Sequence, residues 1–310
     1  MPNHPPHDIV SFDADLPPLH NPLCITAFKD RGGQTASAVV EYLIDAWDAQ
    51  ELAAIDPDAF FDFTENRPHA RFDGDRRVID WPTLRIHHAR PTRADGQPLD
   101  RDLLFFHGPE PTFQWKALTE AVAAALQRMG VHDLLSLSTF PGASPHTRQI
   151  PHWMTTTDPA LTEPFDVEVI EPRYQGPIGF SGALNALLRD SGLATASLIG
   201  ITPFYLGVDA NPPAGITLLE TLARAWKLEL DLSDAQREAE TFLSGVVNLV
   251  ERSERLQEVV AGLETQYDKN RTESQLPPTS PLPPSGELLA DVEQFLRNQQ
   301  TGDDSTTDFN

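Results

Sequence analysis

DLLFFHGPEPTFQWKALTEAVAAALQRMG, residues 102–130, decides the fold. Its apolar run at 103–106 is continuous, as in a strand buried on both faces, and Gly108 and Pro109 stop it. Trp115, Leu118, Val122, Leu126 and Met129 then recur at helical spacing until Gly130 supplies a terminator. A buried strand, a proline-bearing loop and an amphipathic helix make one unit of a helix-covered sheet.

The same grammar repeats on either side. Upstream, "LCITAF" reads as a strand, followed by the loop "KDRGGQ" and a helix with Val39, Val40, Leu43, Ile44 and Trp47 on one face. Asp56-Pro57 closes that unit, and "AFFDF" and "LRIHHA" read as short strands around the turn "FDGDRR". Downstream, "HDLLSLSTF" runs into "PGASPHTRQIPH", and "FDVEVI" is a strand coupled to the helix in "GPIGFSGALNALLRDSGL". A further strand, "ATASLIGIT", leads through "PFYLGVDANPPAG" to a helix over about residues 216–228. Alternation of this kind predicts a mainly parallel sheet covered on both faces, a three-layer α/β/α sandwich.

From 233 to 268 the pattern is wholly helical. Phe242, Val246, Leu249, Leu256, Val260, Leu263 and Tyr267 form a heptad-like stripe that Ser253 interrupts. Two readings fit: a helical hairpin packed on its own body, or a seam between subunits built from Phe242, Val246, Leu249, Leu256, Val260 and Leu263. The following "ESQLPPTSPLPPSGE" is too rich in Pro and Ser to bury a face and reads as a semi-extended linker. Beyond it, Leu288, Leu289, Val292, Phe295 and Leu296 share one face of a short helix in an acidic tail. So short a helix is marginal alone, which makes it a candidate partner-binding element or one that lies on its own body. The expected organisation is a lead (1–22), an α/β body (23–232), a helical extension (233–270) and a linker with tail (271–310).

Composition narrows the partners. The 310 residues hold 23 Lys plus Arg against 46 Asp plus Glu, a formal charge of −23 that repels nucleic acid and anionic membrane surfaces. Cys24 is the one cysteine, so an intrachain disulfide is impossible, and its apolar context reads as core. The start shows no basic-then-apolar leader, and no stretch approaches the roughly 20 apolar residues of a membrane span. A cytoplasmic protein is the expectation.

Ligands of open α/β sheets collect beyond the carboxyl ends of the strands, where "HGPEP", "PGASPHTR" and "TPFYLG" fall. His107 with Glu110 has the make-up of an acid–base pair, and His146 with Arg148 that of an anion site. Their prolines point the other way, towards frozen loop shape with Glu110 and Arg148 tied to each other. Ser181 in "GFSGA" lacks the second glycine of a nucleophile elbow and reads as a helix N-cap, while Ser144 precedes a proline and suits a turn. "RGGQT" matches no complete phosphate-loop pattern. His87 and His88 on a strand face opposite ways, and His4 with His7 has no third ligand at a convincing spacing, so no metal or cofactor is expected.

Read in order, "RGGQTASAVVEYL", "FFDFTENRP", "LLFFHGPEPTFQW", "PHTR", "YQGPIGFSGAL" and "TPFY" resemble the proteasome assembly chaperone family, in particular its bacterial and archaeal members, over about residues 23–267. The resemblance implies a phosphorylase/hydrolase-like three-layer body that self-associates, a trimer being favoured, and binds proteasome subunits without catalysis. Assembly factors of this group end in a hydrophobic residue, a tyrosine and a final residue, whereas this sequence ends Asp308, Phe309, Asn310. That departure shifts the expected contacts to the 288–296 helix or the body. The alternatives are a hydrolase, phosphorylase or ligase using the strand-end cleft, and a structural oligomer regulated by its tail.

Overall fold

The computed structural model describes residues 9–12, 16–29 and 33–273, with side chains through residue 269. Its strands are β1 (Val10–Phe12), β2 (Leu23–Lys29), β3 (Gln50–Ile55), β4 (His69–Asp73), β5 (Arg76–Asp80), β6 (Leu84–Ala89), β7 (Leu103–Pro109), β8 (Asp133–Gly142), β9 (His152–Thr156) and β10 (Ala194–Pro203). The helices are α1 (Thr35–Ala46), α2 (Trp115–Arg128), α3 (Phe180–Asp190), α4 (Pro212–Trp226), α5 (Ser233–Glu251) and α6 (Glu254–Glu273).

Eight strands form one sheet in the order β1-β3-β6-β7-β2-β8-β10-β9. Successive side chains of a strand point to opposite faces, so an unbroken apolar run fills two layers at once. Cys24, Phe28, Leu104 and Phe106 pack with Leu118, Val122 and Leu126 of α2 and with Phe180, Leu184 and Leu188 of α3. Ile25, Leu103, Phe105 and Leu137 pack on the other face with Val39 and Leu43 of α1 and Leu218 and Leu222 of α4. Each such side chain, once fully buried, contributes about 1.5–3 kcal/mol. The predicted three-layer α/β/α sandwich is therefore present.

The sheet is mixed where a mainly parallel one was expected. Only the centre, β7-β2-β8-β10, is parallel; β1, β3 and β6 extend it antiparallel on one flank and β9 on the other. Of the four added strands, the sequence marked only β6, "LRIHHA": β1 lies inside the proline-rich lead, β3 is "QELAAI", and β9 follows the loop "PGASPHTRQIP". Three further expectations change. "AFFDF" is a turn, with Phe60 and Phe61 buried, and "FDGDRR" joins a hairpin of its own, β4 and β5, paired with each other and separate from the large sheet. "FDVEVI" makes only an isolated bridge, Val169 to Met154.

Two helix starts also differ. α4 begins at Pro212 because the first helical turn leaves its N–H groups unpaired, where proline loses nothing, and the Asn211 side chain accepts from the Ala214 N–H at 3.0 Å. Ser181 lies inside α3, whose N-cap is Gly179 with no side-chain cap. α3 is seated on the sheet through Asn185, which accepts from the Ser136 hydroxyl (2.9 Å) and donates to Ser197 Oγ (3.2 Å). As expected, α5 and α6 are interrupted at Ser253, whose hydroxyl accepts from the Leu256 N–H at 3.3 Å.

Candidate functional site

The carboxyl ends of the four parallel strands form one edge of the sheet. β2 is followed by α1 on one face and β7 by α2 on the other, so the chain diverges between these neighbours, the position where open α/β sheets hold ligands. A cleft of about 460 Å³ opens there, lined by Lys29, Glu65, Asn66, Glu110, Pro111, Thr112 and Trp115. Lys29 is paired with Glu41 of α1 at 2.8 Å. Trp115 forms an apolar wall, its indole N–H donating to Pro111 O at 2.6 Å. Gly108, at φ +144, turns the chain out of β7 where a Cβ would stand 2.7 Å from the Thr83 carbonyl, so only glycine fits.

His107 and Glu110 are not brought together. The strand period puts His107 beside His87 of β6, with Nε2 and Nδ1 3.1 Å apart. Burial, reinforced by the neighbouring His87, Arg85 and Lys29, pushes the His107 imidazole down to about 3. His87 is also lowered, chiefly by burial, against the opposing pull of Glu51. His88 faces the other way, as predicted, 3.4 Å from the buried Asp102 carboxylate. Glu110 reaches in the opposite direction and accepts the Phe180 N–H at 2.6 Å. It therefore supplies the cap that α3 lacks locally, satisfying one of the free amides at that helix N-terminus.

His146 and Arg148 part company too. The Tyr205 hydroxyl accepts from the His146 amide at 2.8 Å and lies 2.6 Å from its Nδ1. Burial lowers the His146 pKa while Glu264 pulls it up. Arg148 grips Asp268 with Nε and Nη2, at 3.0 and 2.9 Å, and reaches Glu264 with Nη1 at 3.1 Å. Thr147 donates to the same Glu264 oxygen at 2.5 Å. The expected Glu110–Arg148 tie is thus replaced by two separate ones, Glu110 to α3 and Arg148 to α6. Charge patterning along α6 is the signal that points to the second, because Glu264 and Asp268 share a helix face four residues apart.

The heptad-like stripe serves the same assembly. Val246, Leu249, Leu256, Val260 and Leu263 are buried against Tyr205 and Leu206 just beyond β10, and Phe242 is packed beside them. The apolar surface of those five is covered by this chain itself, and Phe242 is half-buried. Ser144 is fully buried beneath this region, and burial pushes the Cys24 thiol up to about 12. Among the described residues no group of three or more His, Cys, Asp or Glu is placed to hold a metal ion. Leu288, Leu289, Val292, Phe295 and Leu296, with His4, His7, Arg31 and Gly32, lie outside the described residues. Among the described residues no helix is long and apolar enough to cross a membrane.

Beside these polar groups the edge presents four large apolar side chains. Phe113, Phe140, Tyr174 and Ile178, on its loops and strand ends, are all exposed. None of the four was singled out as a site residue from the sequence, since lone aromatics in loops carry no periodicity.

The PAC2 family model matches residues 25–250. A PAC2 family protein from Streptomyces avermitilis is 31% identical, covering 77% of this chain and 99% of its own, with a TM-score of 0.68. A proteasome-assembly chaperone homologue from Mycobacterium tuberculosis is 28% identical over 77% of this chain and 99% of its own, with a TM-score of 0.65. A second M. tuberculosis protein, of unknown function, is 26% identical over 96% of this chain and 98% of its own, with a TM-score of 0.71. No curated protein matches. The chain belongs to the PAC2 family.

Proposed function

We propose that this PAC2 family member is a non-catalytic, protein-binding assembly factor that works in the cytoplasm as a homo-oligomer, a trimer, with proteasome subunits among its partners. One observation carries the reading. At the edge where chemistry would occur, the four titratable candidates are engaged in holding structure: His107 with His87, Glu110 on α3, His146 with Tyr205, Arg148 on α6. The same edge exposes Phe113, Phe140, Tyr174 and Ile178, a composition suited to a protein partner. Similarity to a proteasome-assembly chaperone homologue supports the class of partner.

Isolation from its own cells under mild crosslinking tests this. Recovery of proteasome subunits is expected, and their reproducible absence overturns the proteasome assignment. The cleft of about 460 Å³ at the β2–β7 divergence favours a second reading, an enzyme acting on a small molecule. Single alanine variants of His107, Glu110, His146 and Arg148, screened on nucleosides and small peptides, separate the two. Turnover by the parent protein that a folded variant abolishes establishes the enzyme.

A further inference from the structure

Among the described residues the β4–β5 hairpin is the least self-sufficient piece. Its five cross-strand pairs run from His69↔Asp80 to Asp73↔Arg76, and it pairs with no strand of the large sheet. A lone two-stranded hairpin is marginal in water. The strand period sorts its residues: Ala70, Phe72, Arg77 and Ile79 share one face, while the other carries the Arg71–Asp80 ion pair at 2.7 Å. On the first face Phe72 is 73% exposed and Ile79 55%. Two large apolar groups around a single guanidinium, with no carboxylate on that face, have the make-up of an interface anchor.

A matching surface exists on α5. Glu240, Ser244, Val247 and Glu251 fall at helical spacing on one stripe and are all exposed. Val247, 43% exposed, is the one large exposed apolar residue of α5 and α6 among the described residues. It stands one turn from the Glu251 carboxylate, so an apolar group beside an anion is offered to apolar groups beside a cation. The two surfaces lie on different flanks. The arm is inserted between β3 and β6, whereas α5 packs on α4 and on the cluster beyond β10. With β7, β2 and β8 between β6 and β10, roughly 19 Å of sheet separates the two sides.

We infer that the Phe72 face of the β4–β5 arm docks on the Glu240–Val247–Glu251 stripe of α5 in a second copy of this chain. The contact joins unlike surfaces head to tail, and repeated around an axis it closes a ring. Arg77 meets Glu251, one turn from Val247, while Phe72 and Ile79 cover Val247. The inference rests on the homo-oligomer reading above and names its surfaces.

Light scattering coupled to size exclusion tests it on the full chain, with far-UV circular dichroism confirming that each variant is folded. The parent protein is expected as an oligomer, and the double variant Phe72→Glu, Ile79→Glu as a monomer. Arg77→Glu weakens association about tenfold or more by setting like charges together, and adding Glu240→Lys with Glu251→Lys restores it. A parent protein that is monomeric overturns the homo-oligomer reading and this inference together. An oligomer that survives the double variant overturns this inference alone. Loss in Arg77→Glu without rescue by the paired reversals overturns α5 as the seat.

Discussion

On the β10 side of the sheet, α5 and α6 roof the strand ends. Leu256 is wholly buried among Tyr205, Leu206, Val260 and Leu263, and Arg148 clamps the second helix to the loop after β8. On the β3–β6 side, the β4–β5 arm carries Phe72 and Ile79 outward with no such roof among the described residues. Both pieces are short amphipathic appendages of the same sandwich. The first finds its apolar complement inside the chain and becomes part of the core; the second finds none among the described residues. Where an amphipathic element lands, more than its own pattern, determines whether it stabilises or recognises.

The sharpest way to break this contrast is to truncate one apolar side chain on each flank. Leu256→Ala removes a fully buried group and is expected to cost about 2–5 kcal/mol in denaturant unfolding. A loss below about 1 kcal/mol means that the hairpin is not part of the folding unit. Acid provides the next largest effect. His107 is neutral when folded, held down to about 3, and in the unfolded chain titrates near 6.5. Unfolded molecules therefore bind more protons between those values, so stability is intact above about 6.5 and drains away as pH falls towards 3. From pH 7 to pH 5 this group alone removes about 2 kcal/mol, and His107→Gln flattens that dependence.

Glu110→Ala strips the long-range cap from α3 and is expected to cost about 1 kcal/mol, whereas Glu110→Gln keeps an acceptor and most of the stability. Equal losses in the two variants would mean that charge, and not the hydrogen bond, is what α3 needs. Phe72→Ala completes the contrast at the small end. With the side chain already in water, monomer stability stays within about 0.5 kcal/mol, measured under conditions where the chain is dissociated. A large loss would show that the arm folds back on its own body.

The layered architecture was largely legible before any coordinates. Continuous apolar runs at β2, β7, β8 and β10 marked strands buried on both sides, and α1, α2 and α5 each announced one apolar face. Of the flanking strands only β6 was legible. β3 and β9 mix polar and apolar residues over five or six positions, and their pairing is settled by the neighbour that accepts them. β4 and β5 were hidden differently: with almost every residue exposed, no buried face existed to impose a two-residue rhythm.

The site residues follow the same division. The proline-framed loops, the one cysteine, the acidic balance and the strand-end position of His107, Glu110, His146 and Arg148 are all present in the order of residues. What each of the four does is not. Glu110 meets Phe180 across 70 positions of sequence and Arg148 meets Asp268 across 120. Local pattern encodes which face of an element is apolar, because that needs only the next few residues. Partnership between polar groups waits until packing brings distant segments within hydrogen-bond reach, and here it turned reactive-looking side chains into fastenings.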